Sequence, residues 1–255
     1  MELLFANQVV VSDLDILKEW RITRMKCVIC NTEIRGPYVL DAWNQAMCAA
    51  HKVELCSSCG RFVKPTDLHL ADGRSLCSLC RPSIVSAQPH IEWVEKRVRP
   101  ILAKYGIGDL PANIPIKIVT PAEMAGVRGG GQITLEQHGL TKTIMAMGVC
   151  SKQYRHTIYI LDSTPKIRFA GVLAHEMLHV WLNEKGASLS PMHTEGFCNM
   201  GSYVVYKEID NELSLHMIKQ MEKDPNPVYG DGFRCVKRYF DGNSLPGLYD
   251  AIKRL

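Results

Sequence analysis

Two stretches of 25 residues, "CVICNTEIRGPYVLDAWNQAMCAAH" (27–51) and "CSSCGRFVKPTDLHLADGRSLCSLC" (56–80), follow one pattern, C-x2-C-x17-C-x2-[H/C]. A C-x2-C turn brings two sulfurs onto one ion, and a second such turn roughly 15 to 20 residues on closes a tetrahedron. The pattern assigns Cys27, Cys30, Cys48 and His51 to one zinc ion and Cys56, Cys59, Cys77 and Cys80 to the next. A piece of about 55 residues buries little apolar surface, so metal binding supplies much of its folding free energy. Both sites are four-coordinate and closed, which suits structure and not catalysis.

This stretch resembles a LIM domain, a tandem zinc module used mainly for protein recognition. It departs from the usual pattern in placing Cys48 before His51 and in spacing the halves by the four residues "KVEL". Seven of the ten cysteines fall here, between 27 and 80, which sets metal binding above disulfides if the compartment is reducing. A reducing setting is expected: the start, "MELLFANQVVVSDLDILKEW", lacks the pattern of a secretory signal, and no apolar run is long enough to span a membrane. The chain is therefore expected to be cytoplasmic. With 46% hydrophobic and 22% charged residues it reads as globular, and its net charge of +4 falls short of a dedicated nucleic-acid binder.

The chain divides into an N-terminal segment (1–25), the LIM-like double zinc module (26–82), a linker (83–92) and a second domain (93–255). "RPSIVSAQPH" (81–90) has two prolines and two serines and no helical period. "IEWVEKRVRPILAKYGI" then spaces Ile91, Trp93, Val94, Val98 and Ile101 as an amphipathic helix, with Pro100 a point of kinking. "IPIKIVT" (114–120), "GQITLEQ" (131–137) and "HTIYILD" (156–162) read as strands, and "RGGG" (128–131) as a turn, since it lacks the spacing of a phosphate loop. From Pro165 the pattern turns helical: "KIRFAGVLAHEMLHVWLNEKG" ends at Gly186, and "PMHTEGFCNMGSYVVYKEI" and "NELSLHMIKQMEK" follow. "DPNPVYGDGFRCVKRYFDG" is a turn-rich entry into a fourth helix. A small sheet followed by helices is an α+β domain.

The chemistry lies in "VLAHEMLHVW" (172–181). His175 and His179 are four apart, so a helix projects both imidazoles from one face toward a single ion, with Glu176 beside it but out of the ligand row. This is the H-E-x-x-H arrangement of zinc metallopeptidases, in which the metal polarises the scissile carbonyl and lowers the pKa of water while the glutamate moves the proton. Ionisable side chains in so apolar a run are costly unless partnered. A third ligand is needed, and Glu195, sixteen residues past His179 at the start of the next helix, is favoured over His193; Asn199, one turn on, is placed to brace it or a histidine. Tyr229, on the turn "NPVYGDGFR", is the candidate donor to an oxyanion, with Asp231 as a helix cap and Arg234 nearby. Cys198, Cys235 and Cys150 read as ordinary core thiols.

The LIM-like module together with "LAHEMLHVWL", "TEGFC" and "PVYGDGFR" resembles the DA-one family, plant growth-regulating LIM-domain peptidases of ubiquitin pathways. The resemblance covers about residues 25 to 240. It implies a gluzincin-like peptidase domain with His175, His179 and Glu195 as zinc ligands and Glu176 as general base, and it strengthens the role of Tyr229. It also implies one catalytic and two structural zinc ions, limited proteolysis of protein substrates, and ubiquitin or a ubiquitinated protein as a partner. The plant proteins carry ubiquitin-interacting motifs ahead of the LIM domain; the 26 residues ahead of Cys27 show no acidic helix of that kind, so ubiquitin control maps onto no residue here. Two alternatives are a zinc-stabilised adaptor with a dormant peptidase fold and a DNA-associated metalloprotease of the SprT type, which places its zinc appendage after the protease and uses a third histidine. Strand 156–162 is the expected acceptor of a substrate backbone.

Overall fold

The computed structural model describes residues 25–129, 138–147 and 152–254, in two compact units, Met1–Pro82 and Ser83–Leu255. The strand read at 131–137, the end of the "RGGG" turn and Cys150 lie outside the described residues.

In the first unit the sequence repeat is also a backbone repeat. Each half opens with a knuckle whose fifth residue turns left-handed, Asn31 at φ 58° and Gly60 at φ 72°. Asn31 N donates to Cys27 O at 2.8 Å and Gly60 N to Cys56 O at 2.9 Å. Each half then forms a hairpin, β1 (Tyr38–Leu40) with β2 (Ala46–Cys48) and β3 (Leu68–His69) with β4 (Ser75–Leu76). The knuckle is tied to its hairpin the same way twice, Val28 N to Ala46 O at 3.0 Å and Ser57 N to Ser75 O at 2.9 Å. Asp41 joins the halves: one carboxylate oxygen accepts from Trp43 N and Gln45 N at 2.9 Å each, and the other accepts from Phe62 N at 3.1 Å. The Trp43 indole donates to Cys59 O at 2.6 Å. One small apolar cluster gathers Cys27, Met47 and Phe62, with Val28, Ile29, Ile34 and Val39 packed against it.

The second unit is a three-stranded sheet and seven helices among the described residues. Helix α1 (Gln88–Lys104) begins three residues before the reading from periodicity, and it carries Pro100 inside it. Its buried stripe is Ile91, Val94, Val98 and Leu102. Trp93, expected in that stripe, is 44% exposed and sits under the guanidinium of Arg97 at 3.5 Å. Strand β5 (Ile116–Val119) leads to α2 (Pro121–Arg128), whose capping box of Thr120 and Glu123 starts it and whose end is Gly129 at φ 91°. Strands β6 (Gly139–Met147) and β7 (Lys152–Leu161) pair antiparallel, and β7 also pairs parallel with β5, giving the order β5-β7-β6. The strand expected to accept a peptide is thus central: residues 158–161 have a neighbour on each side, and the substrate-acceptor reading of that strand is overturned.

Helices α3 (Lys166–Glu184), α4 (Pro191–Ile209), α5 (Glu212–Lys223), α6 (Gly230–Lys237) and α7 (Leu245–Ile252) complete the unit. Helix α3 is the centre of the core, with eleven of its nineteen residues buried, and this is why its sequence is apolar on nearly every face. Close crossings set its approach to α4. A Cβ at Gly171 would overlap the Tyr206 hydroxyl, 2.1 Å away, and one at Gly201 would stand 2.8 Å from the carbonyl oxygen of Ala174. Ser202 Oγ donates to Gly171 O at 2.8 Å across the same contact. No helix among the described residues is long and apolar enough to cross a membrane.

Candidate metal centre and its surroundings

Three groups of potential metal donors are found among the described residues, each with its atoms within 4.8 Å of one another. Two are the expected tetrads, Cys27, Cys30, Cys48, His51 and Cys56, Cys59, Cys77, Cys80. In the first, the Thr32 hydroxyl and amide draw the Cys30 thiol down to about 7, toward the thiolate a metal needs. In the second, hydrogen bonds from Cys59, Cys77 and Cys80 hold Cys56 well below the ordinary thiol range. Its sulfur neighbours, Cys56 first, push Cys80 far above that range, so the four cannot all be thiolates without a cation among them. His51 Nε2 is buried with no hydrogen-bond partner, which is the condition of a ring nitrogen turned toward a metal.

The third group is built by α3 and α4. His175 and His179 lie one turn apart on α3 with ring centroids 4.9 Å apart and Nε2 atoms 3.1 Å apart. Helix α4 starts at Pro191, capped by Ser190, whose hydroxyl accepts from His193 N at 3.2 Å. This start puts Glu195 in the first turns facing α3: Glu195 Oε2 is 3.2 Å from His175 Nε2 and 3.5 Å from His179 Nε2. The oxygen is buried and makes no hydrogen bond. Two imidazole nitrogens and an unsatisfied carboxylate oxygen that converge on one point suit a divalent cation with nitrogen and oxygen ligands, zinc foremost. Cys198, read as a plain core thiol, is fully buried, and its sulfur completes this group with the two histidines. Burial pushes its pKa well above the ordinary value, and the Glu195 and Glu176 charges add to that.

The charges around the histidines are matched. Burial opposes the imidazolium of His175, yet the Glu195 carboxylate 3.2 Å away, the Glu176 charge and Asn199 outweigh it, and its pKa is raised. Burial likewise opposes ionisation of Glu195, but His175 and His179 hold its carboxyl far below the usual range. The positive charge that stabilises this carboxylate is the role a metal ion would fill.

Asn199 does the bracing, and it braces a histidine. Its Nδ2 donates to the main-chain carbonyl of Tyr229 at 3.1 Å, which fixes its Oδ1 as the acceptor, 2.9 Å from His175 Nδ1. The proton of the neutral ring therefore sits on Nδ1, and the Nε2 lone pair faces Glu195 and His179. Tyr229 thus enters the site through its backbone, at the N-terminus of α6. The helix cap expected of Asp231 is not made by that residue: Asn226 Oδ1 accepts from Val228 N at 2.9 Å and Tyr229 N at 3.1 Å, while Asp231 pairs with Arg234. Arg234 donates to the carbonyls of Glu222 and Asp224 at 2.9 and 2.7 Å, closing the end of α5. Gly196 and Gly232 let α6 lie against α4 here, since a Cβ on Gly196 would stand 2.3 Å from Gly232 O. His193, the rival third ligand, turns its ring to Cys235, 4.0 Å from the sulfur.

Glu176 is 4% exposed, and its surroundings include two residues that the sequence reading did not single out. Thr141 on β6 donates from Oγ1 to Glu176 Oε2 at 2.7 Å. Gly139 on the same strand leaves room for the carboxylate, because a Cβ there would stand 2.6 Å from Glu176 Oε1. The segment "GLTKTIMAM" carries the β-branched residues of a strand, and nothing in its spacing relates it to a helix that begins at Lys166.

Two four-residue donor clusters in one unit, and in the other two histidines of an H-E-x-x-H helix beside a half-buried glutamate, define a LIM-like zinc-binding protein with a third donor set. Comparison with known proteins gives this class a family likeness. The DA1-like family model, Protein DA1, matches residues 127–208, which include α3 and nearly all of α4. Protein DA1 of Arabidopsis thaliana is 24% identical over 76% of this chain and 48% of its own length. Protein DA1-related 2 of the same plant is 26% identical, over 84% of this chain and 54% of its own length. The LIM domain-containing protein HDR3 of Oryza sativa subsp. japonica is 22% identical, over 76% of this chain and 52% of its own. The chain is similar to the DA1 family, as its motifs imply, and it spans about half the length of the curated relatives it matches. No solved structure matches it.

Proposed function

We propose that the chain is a zinc-dependent endopeptidase of gluzincin-like design that cuts protein substrates in a limited way and uses its LIM-like module to recognise them. The observation that carries this reading is the convergence of His175, His179 and the unsatisfied Glu195 Oε2 beside a buried Glu176. His175, His179 and Glu195 would hold the catalytic ion, and the two cysteine-rich tetrads two structural ions. Zinc, when bound, supplies a Lewis acid for the scissile carbonyl and lowers the pKa of the attacking water. Glu176 takes the proton from that water and passes it to the leaving amine. Asn199 keeps His175 in the tautomer that presents Nε2. Tyr229 is the proposed hydroxyl donor to the oxyanion, brought to the site by the turn whose carbonyl already binds Asn199.

Strand β6 takes the role expected of 156–162. It is an edge strand, with no partner on its outer side among the described residues, and it runs past Glu176. An extended peptide added there lies across the base as a fourth strand. The resemblance to DA1 proteins further suggests ubiquitin-linked substrates and a cytoplasmic setting, in keeping with the nine free cysteines among the described residues. The nearness of Glu195 Oε2 to both histidines, with His193 turned to Cys235, favours this reading over the SprT type, which uses a third histidine.

The test is Glu176→Gln, which keeps the shape of the side chain and removes the base. Mass spectrometry of products from fluorescein-labelled casein and from candidate ubiquitin-linked proteins is expected to show cleavage by wild type and none by the variant. Metal analysis is expected to find about three zinc ions per chain in both. Equal proteolysis by the two proteins would sink the mechanism, and a wild type that binds partners without cutting them would leave an adaptor.

A further inference from the structure

We infer that Thr141 is a positioning residue for Glu176 and the point at which the substrate strand and the general base are joined. This rests on the peptidase reading. Leu161 N donates to His138 O at 2.9 Å, and the register sets Gly139 opposite Ile160 and Thr141 opposite Ile158. Residues of an antiparallel strand alternate between pointing their N–H and C=O at the partner and away from it. With His138 pointing at β7, Gly139, Thr141 and Thr143 turn their main-chain groups to the side of β6 that has no partner among the described residues, where a peptide would bind. Their side-chain positions face α3. Thr141 Oγ1 lies 2.7 Å from Glu176 Oε2 and 3.0 Å from Glu176 O, Gly139 leaves the space that Glu176 Oε1 occupies, and Thr143 Oγ1 accepts from Asn183 Nδ2 at 2.9 Å.

One residue therefore presents its backbone to the peptide and its hydroxyl to the carboxylate that must act on it. A hydroxyl has one proton to give, and the shorter contact sends it to Oε2. That bond holds Oε2 against Thr141 while Gly139 makes room for Oε1, so the strand sets the orientation of the whole carboxylate, and a peptide paired at Thr141 holds the strand in the position that keeps it so. Binding energy gained along the edge is in this way used to orient the base, an effect seen in kcat and not in KM.

Thr141→Val removes the hydroxyl and keeps the shape and strand preference of the side chain, and Thr141→Ser restores the hydroxyl. With an internally quenched peptide chosen for cleavage by wild type, Val is expected to lower kcat ~10-fold to ~100-fold with KM within about twofold, and Ser to recover most of the loss. Zinc content stays the same. Gly139→Ala, whose new methyl meets the carboxylate, is expected to lower kcat in the same way. A cycle of Thr141→Val, Glu176→Gln and the double variant, read as urea midpoints, is expected to be non-additive. Unchanged kcat in Thr141→Val, or a loss that Ser does not recover, overturns the inference while wild-type cleavage keeps the peptidase reading. Absence of any Glu176-dependent cleavage by wild type overturns both.

Discussion

At the scale of single residues, the site is a set of buried polar atoms each of which has one task. Asn199 gives its amide donor to Tyr229 O and its acceptor to His175, so removing it takes the acceptor away from the ring nitrogen and frees the imidazole to rotate. Asn199→Ala is expected to weaken metal binding at this site ~10-fold to ~100-fold while leaving the cysteine clusters loaded. Competition with a graded series of chelators reads both at once, and unchanged affinity at the histidine site would show that the packing of α3 alone orients the ring. The pairing of His175 with His179 was legible from their spacing, because a helix converts a separation of four into one face. Glu195 was legible from its distance along the chain and from the need for a third ligand. Cys198 was not, since a buried cysteine three residues along a helix from Glu195 has the same local pattern whether it lines a metal site or a core.

At the scale of elements, small residues decide how near the helices come. Gly171, Ala174 and Gly201 allow α3 and α4 to meet with backbone against backbone, and only such an approach lets a carboxylate on α4 reach imidazoles on α3. The far end of α4 is held to α1: Tyr105 donates its hydroxyl to Glu208 Oε1 at 2.8 Å, and Lys104 lies 2.7 Å from Oε2. Burial pushes the Tyr105 pKa up to about 12, with the Glu208 charge adding to it, and Lys104 and Tyr105 hold Glu208 below its ordinary value. A folded-state pKa above the unfolded one means that the stability Tyr105 contributes is complete below its ordinary value of 10 and is lost as pH rises through about 12. Tyr105→Phe is therefore expected to cost about 1 kcal/mol at neutral pH, and the gap from wild type to close at alkaline pH. Urea unfolding at several pH values measures it, and a gap that persists above pH 12 would assign the cost to packing.

At the scale of the whole molecule, the two units are stabilised by different means. The second has a continuous core drawn from α1, β5, β7, α3, α4, α6 and α7, and against it pack the tilted and edge-on rings of Trp181, Phe197 and Tyr249. The first has a few apolar side chains and two sets of thiols. A chelator strong enough to strip the cysteine clusters is expected to unfold residues 25–82 while amides of α3 and α4 stay protected, because unit one loses most of its folding free energy with its metal. Hydrogen exchange followed by mass spectrometry separates the units, and loss of protection in both together would show that unit two also depends on metal for its fold.

The sequence by itself determined what is local. Cysteine turns, the i,i+4 histidines, the start of α4 at Pro191 and the left-handed Gly186 after α3 are fixed by residues within a turn or two of one another, and each is found where the pattern puts it. Only the tertiary structure decided what depends on long loops: that among the described residues β7 is the centre of the sheet and β6 its edge, that Thr141 meets Glu176 from 35 residues away, and that Trp93 lies outside the core stripe. A strand pattern carries the alternation of its two faces but not the identity of its neighbours, and a threonine in it looks the same whether it faces solvent or a buried carboxylate. Those choices are made by how the sheet packs on α3, which no window of the sequence contains.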